Sequence, residues 1–307
     1  MAHLSTPQSD TGHFTTLSVR PSNKPTPSVS RTILFPRNHY SQAPNLAAGF
    51  SALDLSCSSN RSSSPTSTTT TAVRANLVGH SITRTRFNLL VETWGRNSLL
   101  HRADATWIEH ASGARECQFG QFDTRDVARR PGNEHTLAIT FPRAFTSQPT
   151  VVVWLNRLDL RAGDEHNYRL SASATQITRT GFVAHLDTWG DGVLDGAAMA
   201  WIAFPAEKRR VASGVVRTAD VRSWGDARPR TSGWVRFPGR LFPPARRKGK
   251  PTVLIALKML DMAGNADLRI KAYATEITRE GFRWHLDTWD DSTLYAAEAS
   301  WIALGFA

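Results

Sequence analysis

Cysteine is almost missing from this chain, with Cys57 and Cys117 the only two among 307 residues. Two are too few for a disulfide framework that staples several domains, neither stands in a CxxC pair, and the usage is compatible with a reducing compartment. Long apolar runs are also lacking, so nothing approaches the ~20 residues that span a bilayer, and no membrane insertion is expected. The opening MAHLSTPQSDTGHF has neither a positively charged start nor an apolar core. No secretory signal is therefore expected, which points to the cytoplasm or to an unconventional route of export. P-loop, GxGxxG, HExxH and nucleophile-elbow patterns do not occur, so neither catalysis, a cofactor nor a metal site is expected. Acidic residues are the scarcer charge, 26 against 37 Lys and Arg, for a net charge of +11. That balance suits a basic surface or a polyanion-binding one. The cations are spread along the chain, however, and the dense runs at 208–210 and 246–248 fall where loops or linkers are expected. Nucleic acid is therefore not the favoured partner.

What the chain does have is apolar residues at 40%, and Thr, Val, Trp and Phe are plentiful, a strand-forming mixture. It also repeats itself. Residues 174–203 and 274–303 agree at 18 of 30 positions without a gap, and residues 81–109 form a more diverged third copy. Phe-Pro recurs at 35–36, 141–142 and 237–238, followed by equal segments from Pro44 to Asp54, Pro149 to Asp159 and Pro251 to Asp261. Arg74, Arg169 and Arg269 each stand 20 residues before a tryptophan, Trp94, Trp189 and Trp289.

These landmarks divide the chain into a disordered tail at 1–12 and three units at 13–110, 113–206 and 210–307. A Ser/Thr-rich segment at 56–72 reads as a flexible insertion in the first unit, since it has nothing to bury. Within a unit, runs such as PTVVVWLNRL and PTVLIALKML read as buried strands, and YRLSASATQIT alternates as a half-buried strand does. About six strands per hundred residues indicate antiparallel β-sandwiches in tandem.

From Arg210-Val211-Ala212-Ser213-Gly214 to Ser300-Trp301-Ile302, the third unit resembles an H-type lectin domain, the module of snail agglutinins and of the C-terminal part of slime-mould discoidins. The second unit is similar almost throughout, and the first mainly in its second half. The resemblance implies a six-stranded antiparallel β-sandwich that assembles as trimers, so that three units in one chain make an intramolecular pseudo-trimer, open to further self-association. It also implies galactose- or N-acetylgalactosamine-type glycans as partners, bound at edges between neighbours. An arginine and a tryptophan followed by a polar residue come from one side, and an acidic loop residue from the other. Carried onto this sequence, the site residues are Arg74, Trp94, Arg169, Trp189, Arg269, Trp289, Asp290 and Asp226. Gly95 and Gly190 follow the first two tryptophans and remove a side-chain contact there.

The chemistry suits that role, because an arginine offers a rigid fork of donors and tryptophan the largest stacking face. Arg269 lies between Leu268 and Ile270, so strand alternation turns it away from the core. Trp107, Trp201 and Trp301 sit between apolar neighbours and read as core, and Asp54, Asp159 and Asp261 read as turn caps. His185 and His285 merely share a strand face with Asp187 and Asp287, which does not make an acid–base pair. The expected function is a multivalent, non-enzymatic lectin, suited to cell adhesion. The alternatives are a basic polyanion or nucleic-acid binder, and a structural module whose sugar sites have decayed.

Overall fold

The structure is a computed structural model that describes residues 9–57, 71–95, 97–113, 116–127, 134–238 and 250–305. The first repeat supplies β1 (Ser9–Thr15), β2 (Ser28–Leu34), β3 (Asn45–Cys57), β4 (Ala72–His80), β5 (Arg86–Glu92) and β6 (Ser98–His110). The second supplies β7 (Gln118–Asp123), β8 (Glu134–Thr140), β9 (Pro149–Arg161), β10 (Tyr168–Thr175), β11 (Gly181–Asp187) and β12 (Leu194–Pro205). The third supplies β13 (Val211–Arg217), β14 (Arg230–Arg236), β15 (Thr252–Met262), β16 (Leu268–Thr275), β17 (Gly281–Asp287) and β18 (Leu294–Leu304).

Three six-stranded antiparallel sheets result, and none belongs to a single repeat. Their orders are β1-β6-β3-β16-β17-β14, β13-β18-β15-β10-β11-β8 and β2-β5-β4-β9-β12-β7. Each sheet joins three strands of one repeat to three of another, through β3–β16, β15–β10 and β4–β9. The six strands of one repeat thus divide three and three between two sheets that enclose its core, the all-β sandwich that the repeat pattern predicts. Every repeat is joined in this way to both of the others.

Two expected boundaries move. Ser9 to Gly12, placed in a tail by composition, pair with β6 as part of β1. Polar residues suffice there because the edge strand is held by its backbone ladder and not by an apolar face. Likewise Ser56 and Cys57 finish β3 and Ala72 opens β4, while residues 58–70 of the expected insertion lie outside the described residues, as do 1–8 and the basic run 246–248.

Inside each sandwich, Trp107, Trp201 and Trp301 are buried as expected, each edge-on to a phenylalanine at 5.6, 5.5 and 5.3 Å (Phe87, Phe182, Phe282). Each indole lies flat against the glycine of its repeat's opening strand. A methyl group on Gly12, Gly120 or Gly214 would stand 2.1, 2.3 or 2.9 Å from the ring. Gly120→Ala is therefore expected to cost about 1–3 kcal/mol through overpacking, read as a lower urea midpoint at unchanged slope.

The long strands β9 and β15 are apolar on both faces because both faces are covered. Val153 and Leu155 point into the sandwich core, while Val152 and Trp154 point the other way. There they meet a second cluster drawn from all three repeats, including Ala47 and Ile108, Ala200 and Ile202, and Leu254, Ala256 and Ile302. Gly49, Trp154 and Ala256 hold equivalent places on β3, β9 and β15, facing Thr106, Ala200 and Ser300 across the ladder. They also touch, since a methyl on Gly49 would fall 2.4 Å from Trp154 Cβ and 3.0 Å from Ala256 Cβ. One indole fills a space to which the other two repeats contribute almost nothing, and its Nε1 donates to the Ser300 carbonyl at 3.2 Å.

Loops tie the repeats as well. Ala162 N donates to Thr71 O (3.0 Å) and Gly163 N to Gly264 O (2.9 Å). The β3–β6, β9–β12 and β15–β18 ladders carry two bulges each at matching positions, one at Ser51, Asn156 and Lys258 and one on the partner strand at His101, Asp195 and Tyr295, beside Asp54, Asp159 and Asp261. The second bulge adjoins the boundary residues described next, where a local change of twist re-aims side chains.

Candidate functional site

At each join between repeats, the repeated arginine stands directly across the ladder from a repeated aspartate. Arg74 pairs in register with Asp159, Arg169 with Asp261, and Arg269 with Asp54. Arg74 Nε donates to Asp159 Oδ1 at 2.8 Å, Arg169 Nε to Asp261 Oδ1 at 3.0 Å, and Arg269 Nε lies 3.4 Å from Asp54 Oδ1. These aspartates are not turn caps, as local sequence logic suggested. They sit within strands that run on past them, and their partners come from another repeat. Burial pushes all three carboxyls above the usual carboxylate range, against the pull of the facing arginines.

The tryptophans lie half-buried at the ends of β5, β11 and β17, one residue beyond a buried threonine. The residue after each tryptophan has a left-handed backbone, with φ of 83° at Gly95, 59° at Gly190 and 54° at Asp290. Glycine takes that conformation freely, and Asp is among the few side chains that tolerate it. A Cβ on Gly95 or Gly190 would also lie 2.5 or 2.3 Å from Nη1 of Arg74 or Arg169. The glycines therefore make room for the guanidinium, a role beyond the lost side-chain contact read from sequence.

The three boundaries differ in charge. Arg269 is surrounded by Asp54, Asp267, Asp290 and Asp291. Arg169 has Asp261 and Asp191. At the boundary of the first and second repeats, Arg74 has Asp159, and the Arg157 guanidinium lies 5.3 Å from the centre of the Trp94 ring. Arg157 is held from behind by Asp123, Nη1 to Oδ1 at 3.1 Å.

Asp226 is not brought to Arg269. It pairs with Arg228 in its own loop, with Arg228 Nε to Asp226 Oδ1 at 3.0 Å. That loop leans on β18, the side of the third repeat that joins the second repeat and Arg169. His185 and His285 donate to or accept from Thr175 and Thr275 at 2.7 Å, and His285 stacks on Tyr273 with centroids 4.4 Å apart. Among the described residues, no group of three or more His, Cys, Asp or Glu side chains is placed to hold a metal ion, and no helix is long and apolar enough to cross a membrane.

Sequence reading missed two further arginines. Arg222 is buried and spends its donors on Thr231 Oγ1 (2.9 Å) and on the carbonyls of Ser223, Asp226, Tyr295 and Leu294 (3.1, 3.0, 2.8 and 2.9 Å). Arg20 repeats this in the first repeat, with Thr26 Oγ1 and the His101 carbonyl at 2.9 Å each. The signal was available: Val19-Arg20 and Val221-Arg222 each follow a Thr (Thr16, Thr218) by the same interval.

Among curated proteins, a match is found to the ATP synthase subunits region ORF 7 product of Fuscovulum blasticum, 36% identical over 70 residues. It covers 23% of this chain and 59% of that protein, so the chain spans less than two thirds of the relative's length. Among solved structures, recombinant discoidin II of Dictyostelium discoideum aligns with 12% identity and a TM-score of 0.26, over 53% of this chain and 73% of that one. The wild-type discoidin II of the same organism aligns with 14% identity and a TM-score of 0.25, over 53% and 71%. The H-type lectin domain family matches three times, at 30–108, 136–204 and 248–304, which together span well over half of the sequence. The chain belongs to the H-type lectin domain family.

Proposed function

We propose that this protein is a non-enzymatic carbohydrate-binding lectin for galactose- or N-acetylgalactosamine-type glycan ends. On this reading its three repeats form an intramolecular pseudo-trimer with a sugar site at each boundary. The observation that carries it is the cyclic pairing of Arg74, Arg169 and Arg269 with aspartates of the adjoining repeat, each beside a half-buried tryptophan. A sugar hydroxyl can donate to the carboxylate while a neighbouring one accepts from the guanidinium, and charge strengthens both bonds. The indole offers a face to the apolar side of the pyranose ring. Three such sites in one chain raise avidity by effective concentration, so each can be weak on its own.

The test is binding to a glycan array at about 0.15 M and about 0.5 M salt, with Arg169→Ala and Trp189→Ala beside the wild type. The expected result is binding to galactose or N-acetylgalactosamine ends that survives the higher salt and falls roughly tenfold or more in either variant. Binding confined to sulfated or other acidic glycans, and lost steeply with salt, would replace this reading with that of a polyanion binder.

A further inference from the structure

Trp224 is the strangest side chain on the surface. It is 69% exposed, near the top of the exposure range among the large apolar residues, yet the loop that carries it is pinned by hydrogen bonds. Arg222 lies buried beneath it and ties the loop to itself through Ser223 and Asp226, to β14 through Thr231, and to β18 through Leu294 and Tyr295. An exposed tryptophan on a pre-ordered loop loses little entropy when something stacks on it, which is a property of recognition surfaces.

The ring is not isolated. Trp224 meets Tyr295 with centroids 6.4 Å apart and planes at 72°, so the two rings form an aromatic corner. Tyr295 is the bulged residue of β18, standing between Ala296, which faces Asp261, and Leu294, which faces Met262. Asp261 in turn faces Arg169 across the β15–β10 ladder. Arg169, Asp261 and Tyr295 therefore stand on three successive strands, and the corner begins about two strand spacings, roughly 10 Å, from the arginine. That is further than one pyranose ring reaches.

Among the described residues, neither other boundary has this corner. Asp195 occupies the bulge at the boundary of the first and second repeats, where Arg161 holds it at 3.0 Å. His101 occupies it where the third and first repeats meet, bonded to Ser56 Oγ at 2.8 Å and to the Ser22 carbonyl at 3.1 Å. Ser22 also holds the place of Trp224 in the loop that Arg20 anchors, and the sequence from Ala128 to Asn133 in the second repeat has no aromatic residue.

We propose that Trp224 and Tyr295 form a subsite for a second sugar ring beside Arg169, so that the boundary of the second and third repeats takes an oligosaccharide of two or more rings. This rests on the lectin reading above. The terminal sugar sits at Arg169, Asp261 and Trp189, and the next ring stacks its C–H face in the aromatic corner. The three boundaries then differ in specificity, with one extended site and two that grip a single terminal sugar.

The test compares soluble galactose with lactose, and N-acetylgalactosamine with N-acetylgalactosaminyl-galactose, by calorimetry and by acrylamide quenching of tryptophan fluorescence. Wild type, Trp224→Ala, Trp224→Phe and Arg169→Ala are measured, with thermal melts to confirm folding. The expected result is that a disaccharide shields a quenchable tryptophan that its monosaccharide leaves open, and that this shielding vanishes in Trp224→Phe. Trp224→Ala should weaken disaccharide binding at this boundary about tenfold and leave monosaccharide binding unchanged. Equal shielding by mono- and disaccharides, or disaccharide affinity unaltered in Trp224→Ala, overturns the subsite while a loss in Arg169→Ala leaves the lectin reading intact. A wild-type protein that binds none of the four sugars overturns both.

Discussion

Trp154→Ala is expected to remove about 3–5 kcal/mol of folding stability, the range for emptying a fully buried aromatic site. The indole is 0% exposed and has no water to fall back on. It fills the space where Gly49 and Ala256 of the other repeats contribute a hydrogen and a methyl group. Its loss leaves a cavity where residues of all three repeats touch, and it also removes the hydrogen bond to the Ser300 carbonyl. Equivalence of the three positions gives a sharper form of the prediction. In Trp154→Ala combined with Ala256→Trp, the indole enters the same space from the third repeat, and at least half of the lost stability should return. Chemical denaturation of wild type, single and double variants measures this. A double variant no more stable than Trp154→Ala would mean that the three positions do not share one space.

How much of this was legible beforehand depended on the range of the interaction. Strands and buried tryptophans follow from period-two patterns within a dozen residues, and these were readable. So was the spacing of Arg169 and Trp189, because strand, hairpin and strand occupy a fixed length in every repeat. The partners of the arginines were not. Asp159 receives Arg74 from 85 positions away and Asp261 receives Arg169 from 92, whereas the local rule for aspartate looks two residues ahead. A recurring Leu-Asp in step with a recurring arginine was the only hint, and it takes on meaning once strands of different repeats are known to share a sheet. The division of labour among Gly49, Trp154 and Ala256 was hidden for a related reason. Each is an ordinary strand residue alone, and only superposing the repeats reveals one large and two small side chains facing the same point. The acidic loop residue that the resemblance implies from the neighbouring side, Asp226, is engaged locally by Arg228, a pairing two residues apart that the carried-over pattern does not contain.

Glu109 supplies the second large effect, through pH. It stands on β6 where the other repeats have Ala203 and Ala303, and it is 4% exposed. Its carboxyl is pushed up to about 8, first by burial, then by Asp10 beside it, with only the Trp107 indole favouring the charge. The surroundings agree, since half-buried His39 and buried Tyr40 lie nearby and Glu109 Oε2, His39 Nε2 and Tyr40 OH all lack a hydrogen-bond partner. Because the folded value is raised above the unfolded one, the folded protein keeps a proton that the unfolded chain has released. The stability this confers is complete below about pH 4.5 and is lost as pH rises through about 8. The loss should be on the order of 3–5 kcal/mol across that window, given about 1.4 kcal/mol for each unit of displacement. Glu109→Gln keeps the shape and a donor for the cluster without an ionisable group. Its unfolding free energy should lie close to wild type at about pH 5 and exceed it by several kcal/mol at about pH 9. Parallel pH profiles for the two proteins would show that Glu109 stays ionised in the fold, with a cation or water supplying the partner that Asp10, His39 and Tyr40 do not.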